Sequence, residues 1–266
     1  MNRRKFLHSS LTVSALAGAA IPAARQVAAA EARPEQELYE LRAYRLKPES
    51  DGGLLHRFLE KAAIPAWNRI GCQPVGVFTE IEPKEGPTVF VLIPHASMSA
   101  FAQSTARLHS DPTFLTDGAE YLNVSKASPA FLRIDAWLLL AFSGMPRLRQ
   151  PAYSKARTTR VFELRTYESH SEAKAVKKVE MFNAGEIEVM QEVGLGPIFF
   201  GQALSGPNLP HLTYLLSAED KDSHKKHFGA FGGHPTWKKL AADPQYKDTV
   251  SKNTSRFLSP TAYSQI

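Results

Sequence analysis

Cysteine is nearly absent: Cys72 stands alone in 266 residues. No internal disulfide can form, so the fold must stand on its core. Long apolar runs are lacking too. Beyond residue 30 nothing approaches the roughly 20 apolar residues that a spanning helix needs. Charge of one sign is scarce. The formal net charge of +6 shrinks to 28 basic against 26 acidic residues once residues 1–30 are set aside. That balance gives little support for a nucleic-acid surface, and no nucleic-acid partner is expected. There is no Gly-x-Ser-x-Gly elbow. Gly229, Gly232 and Gly233 lack the Lys-Ser/Thr ending and the strand-to-helix setting of a phosphate loop. No cofactor signature is read, and none is expected.

What the chain does contain is a repeat. Tyr39-Glu40-Leu41-Arg42-Ala43-Tyr44 returns as Phe162-Glu163-Leu164-Arg165-Thr166-Tyr167, an offset of 123 residues. The same offset carries Ile64 onto Ile187, Gly71 onto Gly194, and Pro74-Val75 onto Pro197-Ile198. It also carries Leu92-Ile93 onto Leu215-Leu216, Pro112-Thr113-Phe114 onto Pro235-Thr236-Trp237, and Arg133 onto Arg256. Matches in one ungapped frame mark an internal duplication. Two units follow, 38–143 and 157–260, joined by a Pro- and Arg-bearing linker at 144–156.

Residues 1–30 read as an export leader rather than as structure. Asn2-Arg3-Arg4-Lys5-Phe6-Leu7 resembles a twin-arginine motif. Leu11 to Ala24 is only mildly apolar, and Ala28-Ala29-Ala30 follows Arg25 as a cleavage site. The expectation is an exported, periplasmic protein without a transmembrane segment in its mature chain.

Periodicity predicts the same plan twice. The first unit has strands at 38–46, 74–81, 88–93 and 130–142, with helices at 54–70 and 97–108. Ser97 and Asp111 are N-caps, and Pro65 kinks or ends its helix. The second unit has strands at 159–167, 197–204, 211–216 and 253–258. Its helices run over 171–193 and from near Glu219, with a short one begun at His234-Pro235 and a loose tail. The order βαββαβ is the ferredoxin-like arrangement. Helices cover one face of such a sheet, and two bare faces can pack on each other. The fold class expected is therefore α+β, with two tandem ferredoxin-like units forming an intramolecular dimeric α+β barrel.

At this point the motifs point to a family. The Glu-Leu-Arg-x-Tyr strand, the Gly-x-x-Pro-Val/Ile entry to the second strand and the Asp/His-Pro-Thr-aromatic helix start resemble the NIPSNAP family over most of 38–260. The resemblance implies a dimeric α+β barrel. It brings no agreed reaction, cofactor or catalytic set. Relatives on that fold include cofactor-free monooxygenases and haem enzymes, but fold does not fix function.

Alternate strand residues face opposite ways. Tyr39, Leu41 and Ala43 are expected under the helices, as are Phe162, Leu164 and Thr166. Glu40, Arg42 and Tyr44, with Glu163, Arg165 and Tyr167, are expected to face the barrel interior. These six are the candidate ligand-binding residues. They read either as ion pairs that fix sheet register or as the lining of a polar pocket for a small, anionic molecule. Arg133 and Arg256 could join either arrangement. His224 and His227 have an i, i+3 metal spacing, but the surrounding lysines oppose a bound cation, so no metal is expected. His234 reads as a helix start, Cys72 as a small residue in a helix-to-strand turn. Glu180, Glu186, Glu188 and Glu192 read as the solvated side of a helix.

The leading functional expectation is a protein that binds a small molecule or a protein partner through the barrel interior or surface. The alternative is a cofactor-independent oxygenase or isomerase acting on a small organic substrate in the interior. There a tyrosine or histidine would move a proton, and Arg42 or Arg165 would hold an oxyanion. No catalytic residue is assigned. A homo-oligomer is allowed but not required.

Overall fold

The computed structural model describes residues 35–266 other than Lys84 and Pro151. The leader expected at 1–30 lies outside the described residues. The strands are β1 (Leu38–Arg45), β2 (Gly76–Glu80), β3 (Thr88–His95), β4 (Arg133–Ala141), β5 (Val161–Glu168), β6 (Pro197–Ser205), β7 (His211–Ala218) and β8 (Lys252–Pro260). They close into one barrel in the order β1-β3-β2-β8-β5-β7-β6-β4. The first copy supplies β1 to β4, the second β5 to β8. The two sheets join at two seams. Phe78 pairs with Pro260 between β2 and β8, and Ala141 pairs with Gly201 between β4 and β6. This closure leaves no strand edge to template association.

An eight-stranded barrel is just wide enough for side chains to fill. Tyr39, Phe78, Phe90, Phe162 and Phe199 occupy its interior with Leu41, Ala43, Leu164 and Leu215. The Tyr39 and Phe199 rings lie 5.0 Å apart, those of Phe78 and Phe162 4.8 Å. Two further apolar layers lie outside, where the helices of each copy cover the sheet. β3 and β7 are buried along their whole length. Strands covered on both faces read as near-continuous apolar runs.

This arrangement reverses the faces expected for β1 and β5. Tyr39, Leu41 and Ala43 point into the barrel. Tyr44 packs with Phe58 and Trp67 under the first copy's helices, and the Arg42 guanidinium lies 5.4 Å from the Trp67 ring. Alternation separates two faces but cannot say which is inner when both are buried. The narrow interior takes bulk apolar groups, and the charged set finds its partners under the helices.

The first long helix runs through Gly53–Phe58, a π segment at Leu59–Ala63, and Ile64–Arg69. Leu55, Phe58, Leu59, Ala62, Ala63, Ala66 and Trp67 form its buried stripe. The second copy repeats the interruption at Phe182–Glu186, between Glu172–Met181 and Ile187–Glu192. The two π segments match at the offset of 123. Pro65 follows the first, but its counterpart is Glu188, so proline does not cause the π geometry. Ser97 and Asp111 do cap helices, accepting hydrogen bonds from Ala100 N and Thr113 N, and His234 accepts from Thr236 N.

The repeat frame holds through the third strand, with Leu41 opposite Leu92 and Leu164 opposite Leu215. It fails in the fourth. Leu41 faces Trp137, whereas Leu164 faces Arg256. Arg133 and Arg256 are thus not equivalent, and neither joins a Glu-Arg-Tyr set. Arg133 pairs with Asp135, and Arg256 with Glu80.

One end of the barrel is stitched shut. Glu37 N donates to Pro146 O, Leu148 N to Glu37 Oε2, and Arg149 N to Ile198 O. The tail expected to be loose lies across the same end. Val77 N donates to Ser264 Oγ, Val75 N to Gln265 Oε1, and the Ile266 side chain is fully buried in the interior cluster. Backbone pairing and one apolar anchor hold it where a polar sequence gave no sign of order.

Candidate functional site

The six residues singled out in the sequence form two clusters, one per copy. Arg42 Nε lies 2.6 Å from Glu40 Oε1, and Arg42 Nη1 donates to the Tyr44 hydroxyl at 3.3 Å. In the second copy Arg165 Nη1 lies 2.7 Å from Glu163 Oε1, and Nη2 donates to the Tyr167 hydroxyl at 3.1 Å. The two clusters lie under separate helix layers and share no interior space.

Each glutamate also meets a histidine, from a different place in each copy. His95, at the end of β3, sets Nε2 3.3 Å from Glu40 Oε2, and its Nδ1 lies 3.4 Å from Cys72 Sγ. His224, on the helix Lys221–Gly233, sets Nε2 2.7 Å from Glu163 Oε2. His95 stacks edge-on against Phe101, which is the counterpart of His224; the counterpart of His95 is Ala218. Burial pushes both glutamates up, but hydrogen bonds from the histidines and the arginine charges outweigh it and leave both below the ordinary range. Burial pushes the Cys72 thiol up to about 11, so it is protonated near neutral pH.

The second layer is the more polar one. Lys178 Nζ lies 2.9 Å from Glu186 Oε2, both side chains almost wholly buried, with the Phe182, Trp237 and Tyr167 rings 4.7, 5.5 and 5.6 Å from the ammonium. Burial raises the Glu186 pKa despite the lysine. The sequence expectation that Glu186 lies on the solvated side of its helix is therefore wrong: the side chain is buried. Its first-copy counterpart is Ala63, and that of Lys178 is Leu55. Among the described residues no group of three or more His, Cys, Asp or Glu could hold a metal ion.

A cavity of about 270 Å³ opens in the barrel interior at the end opposite the stitched one. Leu41, Phe90, Leu164 and Trp137 are its apolar lining; Thr166, Thr213, Thr254, Asn208 and His211 are its polar lining. Arg45, Glu85, Glu168, Lys252 and Arg256 ring the mouth. That is slightly below the usual range of ligand pockets, about 300–1,000 Å³. None of the six sequence candidates lines it.

His211 begins β7 and is buried. Its Nδ1 lies 3.3 Å from Thr213 Oγ1, which in turn lies 2.9 Å from Thr166 Oγ1. Its Nε2 has no hydrogen-bond partner among the described residues. Burial pushes the imidazole pKa down, so the ring is neutral near pH 7. Sequence reading missed these residues. The signal available was divergence between copies: Thr166, Thr213 and His211 stand where the first copy has Ala43, Phe90 and Thr88.

Fold and site together define a dimeric α+β barrel held within one chain, with a cavity at one end of its interior. The chain belongs to the NIPSNAP family: the family's sequence profile matches residues 39–137 and 162–265. No curated protein matches it in sequence. Among solved structures it is similar to a proposed monooxygenase from Lactobacillus acidophilus NCFM, with TM-score 0.57, 10% identity, and coverage of 85% of this chain and 94% of that one. It is similar also to a proposed monooxygenase from Fusobacterium nucleatum, with TM-score 0.53, 10% identity, and coverage of 85% and 93%. A NIPSNAP-like domain protein of uncharacterised function from Burkholderia xenovorans matches at TM-score 0.36 and 18% identity, over 40% of this chain and 89% of that one. At these identities the likeness concerns fold alone.

Proposed function

We propose that this protein binds a small organic molecule in the interior cavity, and that it does so outside the cytoplasm after export by its leader. One observation carries the binding reading: apolar side chains fill the barrel toward its stitched end, while a cavity opens at this one, and a buried histidine nitrogen without a partner among the described residues belongs to its wall. Natural barrels of this width fill their interiors, and buried polar atoms are normally satisfied. The Glu-Arg-Tyr clusters then serve the fold. They pin the sheets beneath their helices, because a paired buried charge tolerates few alternative registers.

A second reading keeps the same cavity and adds turnover. A neutral imidazole beside an apolar pocket can take a proton from a bound substrate, as a cofactor-independent oxygenase or isomerase would need. In that reading His211 takes the role that the sequence had given to a tyrosine or histidine in general. Arg42 and Arg165 hold no oxyanion there, since both lie under the helices.

Native mass spectrometry of the chain recovered from its producing cell tests the proposal, with Thr213→Phe as the filled-cavity control. The expected mass lacks residues 1–30 and carries a small adduct that Thr213→Phe abolishes. An adduct of equal occupancy in Thr213→Phe overturns the cavity as the site. A full-length mass overturns the leader. Substrate consumption by the wild type would promote the second reading.

A further inference from the structure

The cavity's own electrostatics constrain the molecule it takes, granted the reading of that cavity as the binding site. Every cation on its wall is already matched. Arg45 Nε lies 3.2 Å from Asp135 and Arg45 Nη1 3.6 Å from Glu85. Arg256 Nη1 lies 2.9 Å from Glu80, and its Nη2 lies 3.3 Å from Glu85. Lys252 Nζ lies 2.9 Å from Glu168. Arg133, just outside, shares Asp135 at 3.1 Å. Among the described residues four cations thus face four carboxylates, with no surplus of either sign. An anionic ligand would have to displace a carboxylate from one of these pairs, and a cationic one an arginine or lysine. Either exchange strands a partly buried charge without its partner.

The remaining wall is uncharged. Leu41, Phe90, Leu164 and Trp137 present apolar surface. Beside Leu164 on β5, and on the neighbouring β7, Thr166 and Thr213 hydrogen-bond each other, and His211 Nδ1 lies against Thr213 as well. Thr254 and Asn208 add further polar groups to the lining, and His211 Nε2 is the lining's buried polar atom without a hydrogen-bond partner among the described residues. A ligand hydroxyl or carbonyl that reached it would remove an unsatisfied group, a gain that a hydrocarbon could not supply.

We infer that the cavity takes an uncharged molecule with an apolar body and one hydroxyl or carbonyl group, held by His211. The apolar body lies against Trp137 and Leu164. The mouth pairs stay intact and screen the ligand from charged competitors.

Equilibrium dialysis of the whole chain near neutral pH against naphthol, naphthoate and naphthylmethylammonium tests this. These probes share one apolar body and differ in charge. The expected result is naphthol bound at least about ten-fold more tightly than either ion. His211→Leu should weaken naphthol by about ten-fold, without reordering the two ions. Thr213→Phe should abolish naphthol binding, with Leu164→Trp as the second filling variant if the first does not fold. Either ion binding as tightly as naphthol, and lost on filling the cavity, overturns the inference while leaving the cavity as the site. Naphthol binding that neither filling variant weakens, or no binding of any probe, overturns both. Naphthol binding that His211→Leu leaves unchanged removes histidine from the proposal.

Discussion

The two copies share a backbone plan and differ in what they bury. Both keep Glu-Arg-Tyr on the helix-covered face, and both interrupt the long helix with a π segment at the same place. The first copy fills its share of the interior with Ala43 and Phe90, and its helix layer has Leu55 and Ala63. The second copy has Thr166, Thr213 and His211 inside, and a buried Lys178–Glu186 pair outside. What both copies retain is what each half-barrel needs in order to form. What one copy alone contains is open to function or to local history. On that logic the conspicuous repeated motif is a poor guide to the site, and the mismatches are a better one.

The sharpest break in the comparison should come from Lys178→Leu, which installs the first copy's residue. It leaves Glu186 buried without its cation, and a loss of about 3–5 kcal/mol in unfolding free energy is expected. Adding Glu186→Ala completes the first-copy pattern and should recover most of that loss in a denaturant titration. If the double variant is as unstable as the single one, the pair does more than satisfy itself.

A middle-sized effect is expected at the histidine swap. His224→Phe deprives Glu163 of a donor and should cost about 1–3 kcal/mol. Ala218→His added to it rebuilds the first copy's arrangement, a strand histidine beside a helix phenylalanine. Recovery of roughly half the loss, read by thermal unfolding, would show that the two copies hold alternative solutions to one requirement. No recovery would show that the two layers have drifted too far apart to exchange parts.

The smallest effect concerns acid. Both glutamates have depressed pKa values in the fold, so their stabilisation is present above the unfolded value and is lost as pH falls through the folded one. Stability should hold from neutral pH to about 4.3 as far as these groups decide it, and fall below. Glu163→Gln should flatten that fall slightly more than Glu40→Gln, because Glu163 also accepts from Ser255. Equal flattening would make the two clusters electrostatically equivalent.

Much of the architecture was legible because it rests on local signals. The duplication, the βαββαβ order and the caps at Ser97, Asp111 and His234 all follow from short-range chemistry. Glu40, Arg42 and Tyr44 do touch one another, as their alternation suggested. What could not be read was long-range. Strand alternation has no inner or outer sign when both faces are buried. The frame shift in the last strand is invisible because Arg133 matches Arg256 by residue type, yet the two sit at different register positions. The ordered tail depends on Val75 and Val77, nearly two hundred residues away in sequence. The cavity depends on small and polar groups from three strands, β5, β7 and β8, none of them notable alone.

Joining both half-barrels in one chain has a consequence for symmetry. A barrel made from two identical subunits has a two-fold axis, so each interior group must occur twice. In such an assembly His211 would meet its own duplicate across the axis, and one ligand would face two equivalent orientations. Here its counterpart is Thr88, so that degeneracy is lifted. The covalent link thus frees the two halves of the interior to differ, so that Thr88 and His211 stand at matching places in one barrel.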